Sequence, residues 1–312
     1  MLQVVADGLI VGSVIALGAI GLTLIFSILR FANFAHGEFL AWGAYLALSA
    51  LAAFVAIGGA SAADATGWAA PFAPLSFGWP LVAALAVAML VTALMAWALD
   101  WTLFRRLRVQ GAITLVIASF GAALALRNAL FFLYGGIPQY YAQALQIGIP
   151  FLPRSVYGGL RFTPDQLFVL LLALLIVVAV HLFLSRSTLG RAMRATAHNP
   201  ALARISGIDP ERVLRATWLI GGALAAVAGV FVGLTVQIRP TIGLDLLLPL
   251  FAAAILGGIG SVWGAVLGGL IVGLAESAAV TLVGAEWRAA AAFVVLIAIL
   301  LVRPTGLFGE KS

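Results

Sequence analysis

The chain of 312 residues contains no cysteine, which excludes disulfides and thiolate-ligated metal sites. Charged residues are also scarce, at 9%, whereas soluble domains keep roughly a quarter of their residues charged. Hydrophobic residues make up 64% of the chain. This composition predicts a membrane protein that crosses the bilayer several times.

Sequence patterns typical of catalysis are missing too. There is no GxxxxGK[ST] phosphate loop, no HExxH and no nucleophile elbow. The three histidines, His36, His181 and His198, lack the spacing of metal ligands. We therefore expect no catalytic residues, no cofactor and no metal, and any ATP hydrolysis that drives this protein has to occur on a separate chain.

Apolar runs recur along the chain at the length of about 20 residues that a helix needs to cross a bilayer. Runs of this length exclude a β-barrel, whose strands alternate over about 10 residues. The pattern predicts an all-α polytopic protein with roughly eight to nine spans, some of them broken or re-entrant, in one transmembrane domain over residues 1–312. The candidate spans are 5–29, 37–57, 79–101, 112–134, 166–185, 214–236, 247–275 and 287–303.

The arginines predict the orientation, because loops rich in Lys and Arg stay cytoplasmic. They concentrate around residues 102–111 and 186–215, whereas 57–79 has none and the longer 135–165 has only Arg154 and Arg161. We expect the first two regions inside and the last two outside. The outer segment 135–165 is either a docking surface for an extracytoplasmic partner or an ordered connector.

A polar, arginine-rich segment, 190–213, lies between two predicted spans. Asn199 and Pro200 are typical of a helix start, and Gly207 is typical of a left-handed helix end. Asp209-Pro210-Glu211 then begins a second helix. A short capped helix between spans favours insertion into a groove on a partner, and an ordinary solvated loop is the alternative.

Asn33, His36, Gly37 and Glu38 lie where the first predicted span ends and the second begins. Ionisable groups next to hydrocarbon are costly, so they normally line an aqueous path or bond one another. Two interpretations stay open here. The segment belongs to the transport route or its gate, or it is an interhelical turn with Asn33 as a cap and Gly37 at a close contact.

Glycines interrupt the run 247–275 at Gly257, Gly258 and Gly260. A discontinuous helix exposes backbone groups to a substrate or a gate, while a tight turn between two helices explains the same pattern. Small residues at every fourth position, from Gly221 to Gly233, predict close helix packing. Arg127, His181 and Glu276 lie within or near predicted spans, where each is a candidate functional residue or a side chain that reaches the interface.

Taken together, four sequence blocks resemble the inner-membrane permease subunits of branched-chain amino-acid ABC importers. The blocks extend nearly from end to end of the chain, and only their combination is specific for the family. The blocks are Gly8–Tyr45 with Asn33–Glu38 inside it, Gly190–Arg212, Ile220–Gly229, and Ala254–Ser261 with the closing Arg303-Pro304-Thr305-Gly306-Leu307.

The resemblance implies a multi-pass protein of a bacterial-type inner membrane, without nucleic acid as a partner. It implies a second homologous permease, two cytoplasmic ATPases, an extracytoplasmic solute-binding protein and contact with membrane lipid. The family's ATPase contact is a coupling helix with an EAA-xxx-G pattern, and here Ala203 and Gly207 match while Ala201 and Leu202 depart from it. The candidate coupling residues are Asn199, Pro200, Ala203, Arg204 and Gly207, and the candidate pathway or gate residues are Asn33, His36, Gly37, Glu38, Gly257, Gly258 and Gly260.

Other functions remain as alternatives. Related permeases of the same group are thought to carry urea, amides or other small solutes. A self-contained channel or ion-coupled carrier would bury paired ionisable groups at mid-membrane and would not need the segment 190–213. A membrane-embedded enzyme would need converging polar side chains.

Overall fold

Long helices make up most of the protein in the computed structural model, which describes residues 1–58, 70–142, 148–152, 159–303 and 306–308. A π-helical turn at Asp100–Phe104 and 3-10 turns at Arg108–Gln110 and Ala285–Trp287 interrupt or extend these helices. In chain order the helices and strands are α1 (Leu2–Leu29), α2 (Ala35–Ile57), α3 (Trp79–Leu99), α4 (Arg105–Leu107), α5 (Ala112–Tyr134), β1 (Ile149–Leu152), β2 (Leu160–Phe162), α6 (Pro164–Arg186), α7 (Thr188–His198), α8 (Pro200–Ile205), α9 (Pro210–Thr235), α10 (Ile242–Gly257), α11 (Val262–Leu282) and α12 (Arg288–Val302).

Eight helices within the described ranges are long and apolar enough to cross a membrane, and α10 is a shorter apolar helix. The fold is therefore all-α and polytopic, and the prediction of roughly eight to nine spans is confirmed. The long run 247–275 is broken, as expected, between Gly257 and Val262. Its first helix begins earlier than predicted, at Ile242.

Helices α1 and α9 form the centre of the bundle. In an apolar stretch of 18 residues, 78% of α1 and 72% of α9 are buried. The corresponding share is 6% for the segment Ala285–Val302, which contains α12 at the periphery. The predicted small-residue stripe of α9 packs closely on its neighbours: Gly221 lies against α1, and a Cβ at Gly229 would collide with the carbonyl of Leu40 on α2. Close backbone contact of this kind is how helices associate tightly in lipid, where apolar burial gives little advantage.

Helices α11 and α12 run in opposite directions. Just before α11 the Gly260 N–H donates to Thr23 Oγ1 (2.8 Å), and near the end of α11 Ser277 Oγ donates to the Val4 carbonyl (2.8 Å), so α11 runs antiparallel to α1. After α12 the Leu307 N–H donates to the Leu256 carbonyl (2.8 Å). The chain after α12 therefore lies at the same end of the bundle as the start of α11.

One part of the segment 135–165 is a β-hairpin that the sequence did not predict. Ile149 pairs with Phe162 and Pro150 with Arg161 in antiparallel register, with an irregularity before Leu152. Gln3 joins the hairpin to α1, because its Oε1 accepts from the Arg161 N–H and its Nε2 donates to the Arg161 carbonyl. Three-residue and four-residue strands are too short to give a periodic pattern.

Tyr141 anchors the outer connections to the bundle. Its hydroxyl donates to the Ala44 carbonyl on α2 at 2.9 Å, and the neighbouring Gln139 pairs with Ile238 in an isolated bridge. Burial raises the pKa of Tyr141 well above its ordinary value, so the hydroxyl stays protonated and remains a donor. The connection from α5 to the hairpin and the connection from α9 to α10 are therefore in contact with each other.

Candidate functional site

The arginine-rich surface consists of α7, α8 and the first turn of α9, together with the connections between them. Two polar side chains set its turns. Ser187 Oγ accepts from the Gly190 N–H (2.9 Å) where α6 gives way to α7, and Asn199 Oδ1 accepts from the Leu202 N–H (3.0 Å) where α7 gives way to α8. The arginines exposed on this surface are Arg186, Arg191, Arg194, Arg204, Arg212 and Arg215.

Helix α8 begins and ends where the sequence predicted. Pro200 occupies the first turn after the Asn199 cap, and Gly207 follows the last turn with a φ of 83°. The Gly207 N–H donates to the Arg204 carbonyl and the Ile208 N–H to the Ala203 carbonyl, both at 3.1 Å. This is the Schellman arrangement, which satisfies the carbonyls at the end of a helix and needs a left-handed residue at its centre.

Helix α8 has one buried and one exposed side. Ala203 is buried, whereas Leu202 is 57% and Ile205 81% exposed. Arg204 is exposed beside them. Two exposed aliphatic side chains next to an arginine, on a short helix with both ends capped, form a rigid projection of mixed polarity.

Ion pairs connect this surface to the helical segment that continues α3. Glu211, in the first turn of α9, lies 3.7 Å from Arg105 on α4 and 3.6 Å from Arg108 in the following 3-10 turn, and Arg108 also pairs with the buried Asp100. Asp100 begins the π-helical turn, a feature that is frequent at functional sites. A cavity of about 290 Å³ lies between these groups. No sequence signal indicates this network, because Glu211 lies far from its two arginines in the chain.

The structure places Asn33, His36 and Glu38 in the interior rather than at the membrane interface. All three are at most 1% exposed. His36 Nε2 donates to the Gly18 carbonyl (3.0 Å), which requires the tautomer with hydrogen on Nε2. Asn33 Oδ1 accepts from the Ala35 N–H (3.1 Å), but the N-cap of α2 is Phe34, which makes no side-chain cap hydrogen bond.

His36 and Glu38 do not bond one another. Glu38 Oε1 instead accepts from Nε (3.1 Å) and Nη2 (2.5 Å) of Arg127 on α5. Arg127 is thus a partly buried ion-pair partner of Glu38. At the neighbouring Gly37, a Cβ would collide with the Gly243 carbonyl, so the first turns of α2 and α10 touch through their backbones.

The glycine break after α10 is a tight turn. Gly258 and Gly260 have φ values of 94° and 91°, and Ser261 Oγ accepts from the Gly264 N–H (3.0 Å) to begin α11. Gly257 lies at the end of α10, where its carbonyl accepts from the Phe308 N–H (3.1 Å). This geometry matches the interpretation of these glycines as a tight turn between two helices.

His181 and Glu276 have different surroundings. The His181 ring lies 5.1 Å from the ring of Trp263. Glu276 is 1% exposed, and its Oε2 accepts from Arg288 Nε at 2.7 Å. Glu276 also lines a cavity of about 370 Å³ on the side of the bundle that holds Gln237 and Ala285. The sequence singled out Glu276 by the cost of burying it, but gave no sign of Arg288 as its partner.

These features define a multi-pass helical membrane protein with a structured arginine-rich surface between spans. Residues 4–302 match the family described as "Branched-chain amino acid transport system / permease component", and the chain belongs to that family. The resemblance drawn from the four sequence blocks is therefore confirmed.

Full-length relatives agree with this assignment. The chain is 34% identical to the high-affinity branched-chain amino acid transport system permease protein BraD of Pseudomonas aeruginosa, over 100% of this chain and 96% of BraD. It is 33% identical to the corresponding permease protein LivH of Escherichia coli, with the same coverage. A probable branched-chain amino acid transport permease protein LivH of Methanocaldococcus jannaschii is 29% identical over 98% of this chain and 92% of that protein.

Proposed function

We propose that the chain is the transmembrane permease subunit of an ATP-driven importer that passes branched-chain or related amino acids across the inner membrane by alternating access. Similarity along the whole length to permease proteins of branched-chain amino acid transport supports the substrate class. The observation that carries the mechanism is α8, a short helix capped by Asn199 and Gly207 that exposes Leu202 and Ile205.

Helix α8 would be the contact with a cytoplasmic ATPase. Exposed aliphatic side chains suit a hydrophobic groove on a partner, and the surrounding arginines suit an acidic rim. Asn199, Pro200, Ala203, Arg204 and Gly207 hold or form this projection. ATP hydrolysis would take place on that separate subunit, because the chain has no phosphate-binding loop.

Motion of α8 would reach the spans through two connections. Asn199 caps α8 and also ends α7, so the two helices share a rigid corner. The ion pairs from Glu211 to Arg105 and Arg108 join the start of α9 to α4 and the 3-10 turn that follows it. Closure of an ATPase dimer would then rock α9, a central helix of the bundle, between inward-open and outward-open arrangements.

We assign Asn33, His36, Gly37 and Glu38 to the gate region of the pathway, with Gly257, Gly258 and Gly260 as the turn on which α10 and α11 pivot. Asn33 Nδ2, His36 Nδ1 and Glu38 Oε2 are buried without a hydrogen-bond partner among the described residues. Buried polar atoms normally find partners. A second arrangement of α2 against α5 and α10 would provide them, as alternating access requires.

The complete importer would contain this permease domain, a homologous second permease, two ATPases and an extracytoplasmic solute-binding protein. Co-purification of the tagged chain from native membranes, followed by mass spectrometry, tests this composition. Recovery of a homologous permease and an ATPase is the expected result. Recovery of the chain alone, in a detergent that preserves wild-type uptake after reconstitution, would contradict it and favour a channel or carrier.

Reconstituted vesicles that contain the complete importer test the activity. We expect uptake of leucine that requires both ATP and the solute-binding protein. ATP-driven uptake of urea but not of leucine would overturn the substrate assignment while leaving the importer mechanism in place.

A further inference from the structure

The cavity of about 370 Å³ beside Glu276 has the size of a small-molecule site and combines apolar walls with charged groups. The walls come from α1, α9 and α10, and the charged groups sit on α10, α11, α12 and the turns beside them. The apolar side chains are Val11, Val14, Val232, Ile242, Leu246 and Pro249.

Charged side chains line this cavity. Three carboxylates, those of Asp245, Glu276 and Glu286, lie beside two guanidiniums, those of Arg239 and Arg288. Arg239 Nη2 pairs with Asp245 Oδ2 at 3.2 Å, and both side chains are nearly half exposed. Arg288 pairs with Glu276, and Glu286 is exposed to solvent.

Glu276 lines this cavity and has an acceptor without a partner. Its Oε2 takes the hydrogen bond from Arg288, while its Oε1 is buried and has no partner among the described residues. A buried carboxylate oxygen without a donor costs free energy that a bound donor would recover. An ammonium group is a compact donor of three hydrogens and matches the unpartnered oxygen.

We propose that this cavity is a transit site for an aliphatic amino acid, with its ammonium group on Glu276 Oε1 and its side chain against the valine-lined wall. The proposal rests on the proposed function for its substrate class. The guanidiniums of Arg239 and Arg288 at the rim supply donors for the carboxylate of the same molecule. Affinity at this point of the permease would come from few contacts, which suits a site that must also release its occupant.

Direct binding to the complete importer in lipid nanodiscs, without solute-binding protein, tests the site. The probes are leucine, 3-methylbutylamine, which lacks the carboxylate, and 4-methylpentanoate, which lacks the ammonium group. We expect leucine and the amine to bind and the carboxylate to compete poorly. Glu276→Gln should weaken leucine binding about tenfold, the loss of one charge-assisted hydrogen bond.

Matched variants separate binding from folding. Glu286→Gln removes an exposed carboxylate at the rim of the same cavity and should change affinity by less than about twofold. Ala289→Phe adds bulk at a residue that lines the cavity and keeps both Glu276 and Arg288, so it should weaken binding even if Glu276→Gln proves unstable. Thermal unfolding of each variant in the nanodisc shows which of them are folded.

Three results would each overturn the proposal. The first is equal competition from 4-methylpentanoate, and the second is unchanged binding in folded Glu276→Gln and Ala289→Phe. The third is a wild-type complex that binds neither leucine nor the amine. In each case the pair between Glu276 and Arg288 only joins α11 to α12. ATP-driven leucine uptake by the wild type is read separately, so the site can fail while the proposed function stands.

Discussion

Gly207 and Gly229 are required for different physical reasons. Gly207 has a φ of 83° and open space around it, so a side chain there would strain the backbone without a collision. Gly229 lies in a helix of ordinary geometry, but a Cβ would collide with the carbonyl of Leu40. The first glycine shapes the projecting helix α8, and the second holds the bundle together.

Gly207→Val is expected to uncouple transport from ATP without unfolding the bundle. A β-branched residue in the left-handed region costs about 1–2 kcal/mol, which would shift α8 out of its capped form by a factor of roughly 5–30. Uptake in reconstituted vesicles measures the effect. Gly135→Val is the control, because Gly135 also has a positive φ and open space around it but follows the end of α5 instead of α8. Wild-type uptake in Gly207→Val would count against α8 as the lever.

Gly229→Leu is expected to destabilise the fold by about 3 kcal/mol or more, since a backbone contact leaves no side chain to yield. Thermal unfolding in detergent measures the change. Gly121→Leu is the control, because its Cβ on α5 would meet nothing within 4 Å. An unfolding temperature equal to that of the wild type in Gly229→Leu would refute tight packing between α2 and α9.

At the scale of the element, the docking face proposed for helix α8 can be removed by substitution while leaving the caps. Leu202→Asp combined with Ile205→Asp should reduce recovery of the ATPase by roughly tenfold or more, the loss expected for central apolar contacts. Quantitative co-purification measures it. Val109→Asp, at a residue 93% exposed in the 3-10 turn after α4, is the control. Equal ATPase recovery from all variants would place the docking face elsewhere.

Local signals explain which elements could be predicted. The start and end of α8 follow from Asn199, Pro200 and Gly207, because caps depend on residues within one turn. The ion pair of Glu38 with Arg127 joins positions 89 apart, and no sequence signal selects a partner at that distance. The π-helical turn at Asp100 and the short β-hairpin were missed, since neither has a periodicity of its own. The sequence thus predicted the membrane-spanning helices and the ends of α8, but not the contacts that pair distant side chains.

On the scale of the whole molecule, the absence of cysteine makes the predicted orientation directly measurable. A single cysteine introduced at Ile205, on α8, should react with a membrane-impermeant maleimide only from the cytoplasmic side. A cysteine at Ile137, 74% exposed beyond the end of α5, should react only from outside. If both cysteines are labelled from the same side, an odd number of spans cannot separate them. If each is labelled from the side opposite to the expected one, the orientation assigned from the arginines is wrong.

The pairing of α1 with α11 has a consequence for biosynthesis. Helix α1 packs against a helix that is synthesised much later, with Ser277 bonded to Val4, 273 positions away. Until that partner emerges, α1 has to wait in the bilayer, and its largely apolar surface lets lipid cover it at little cost. The buried His36 and Glu38 of α2 have no such shelter, so early capture of Glu38 by Arg127 on α5 would decide whether the nascent chain stays inserted.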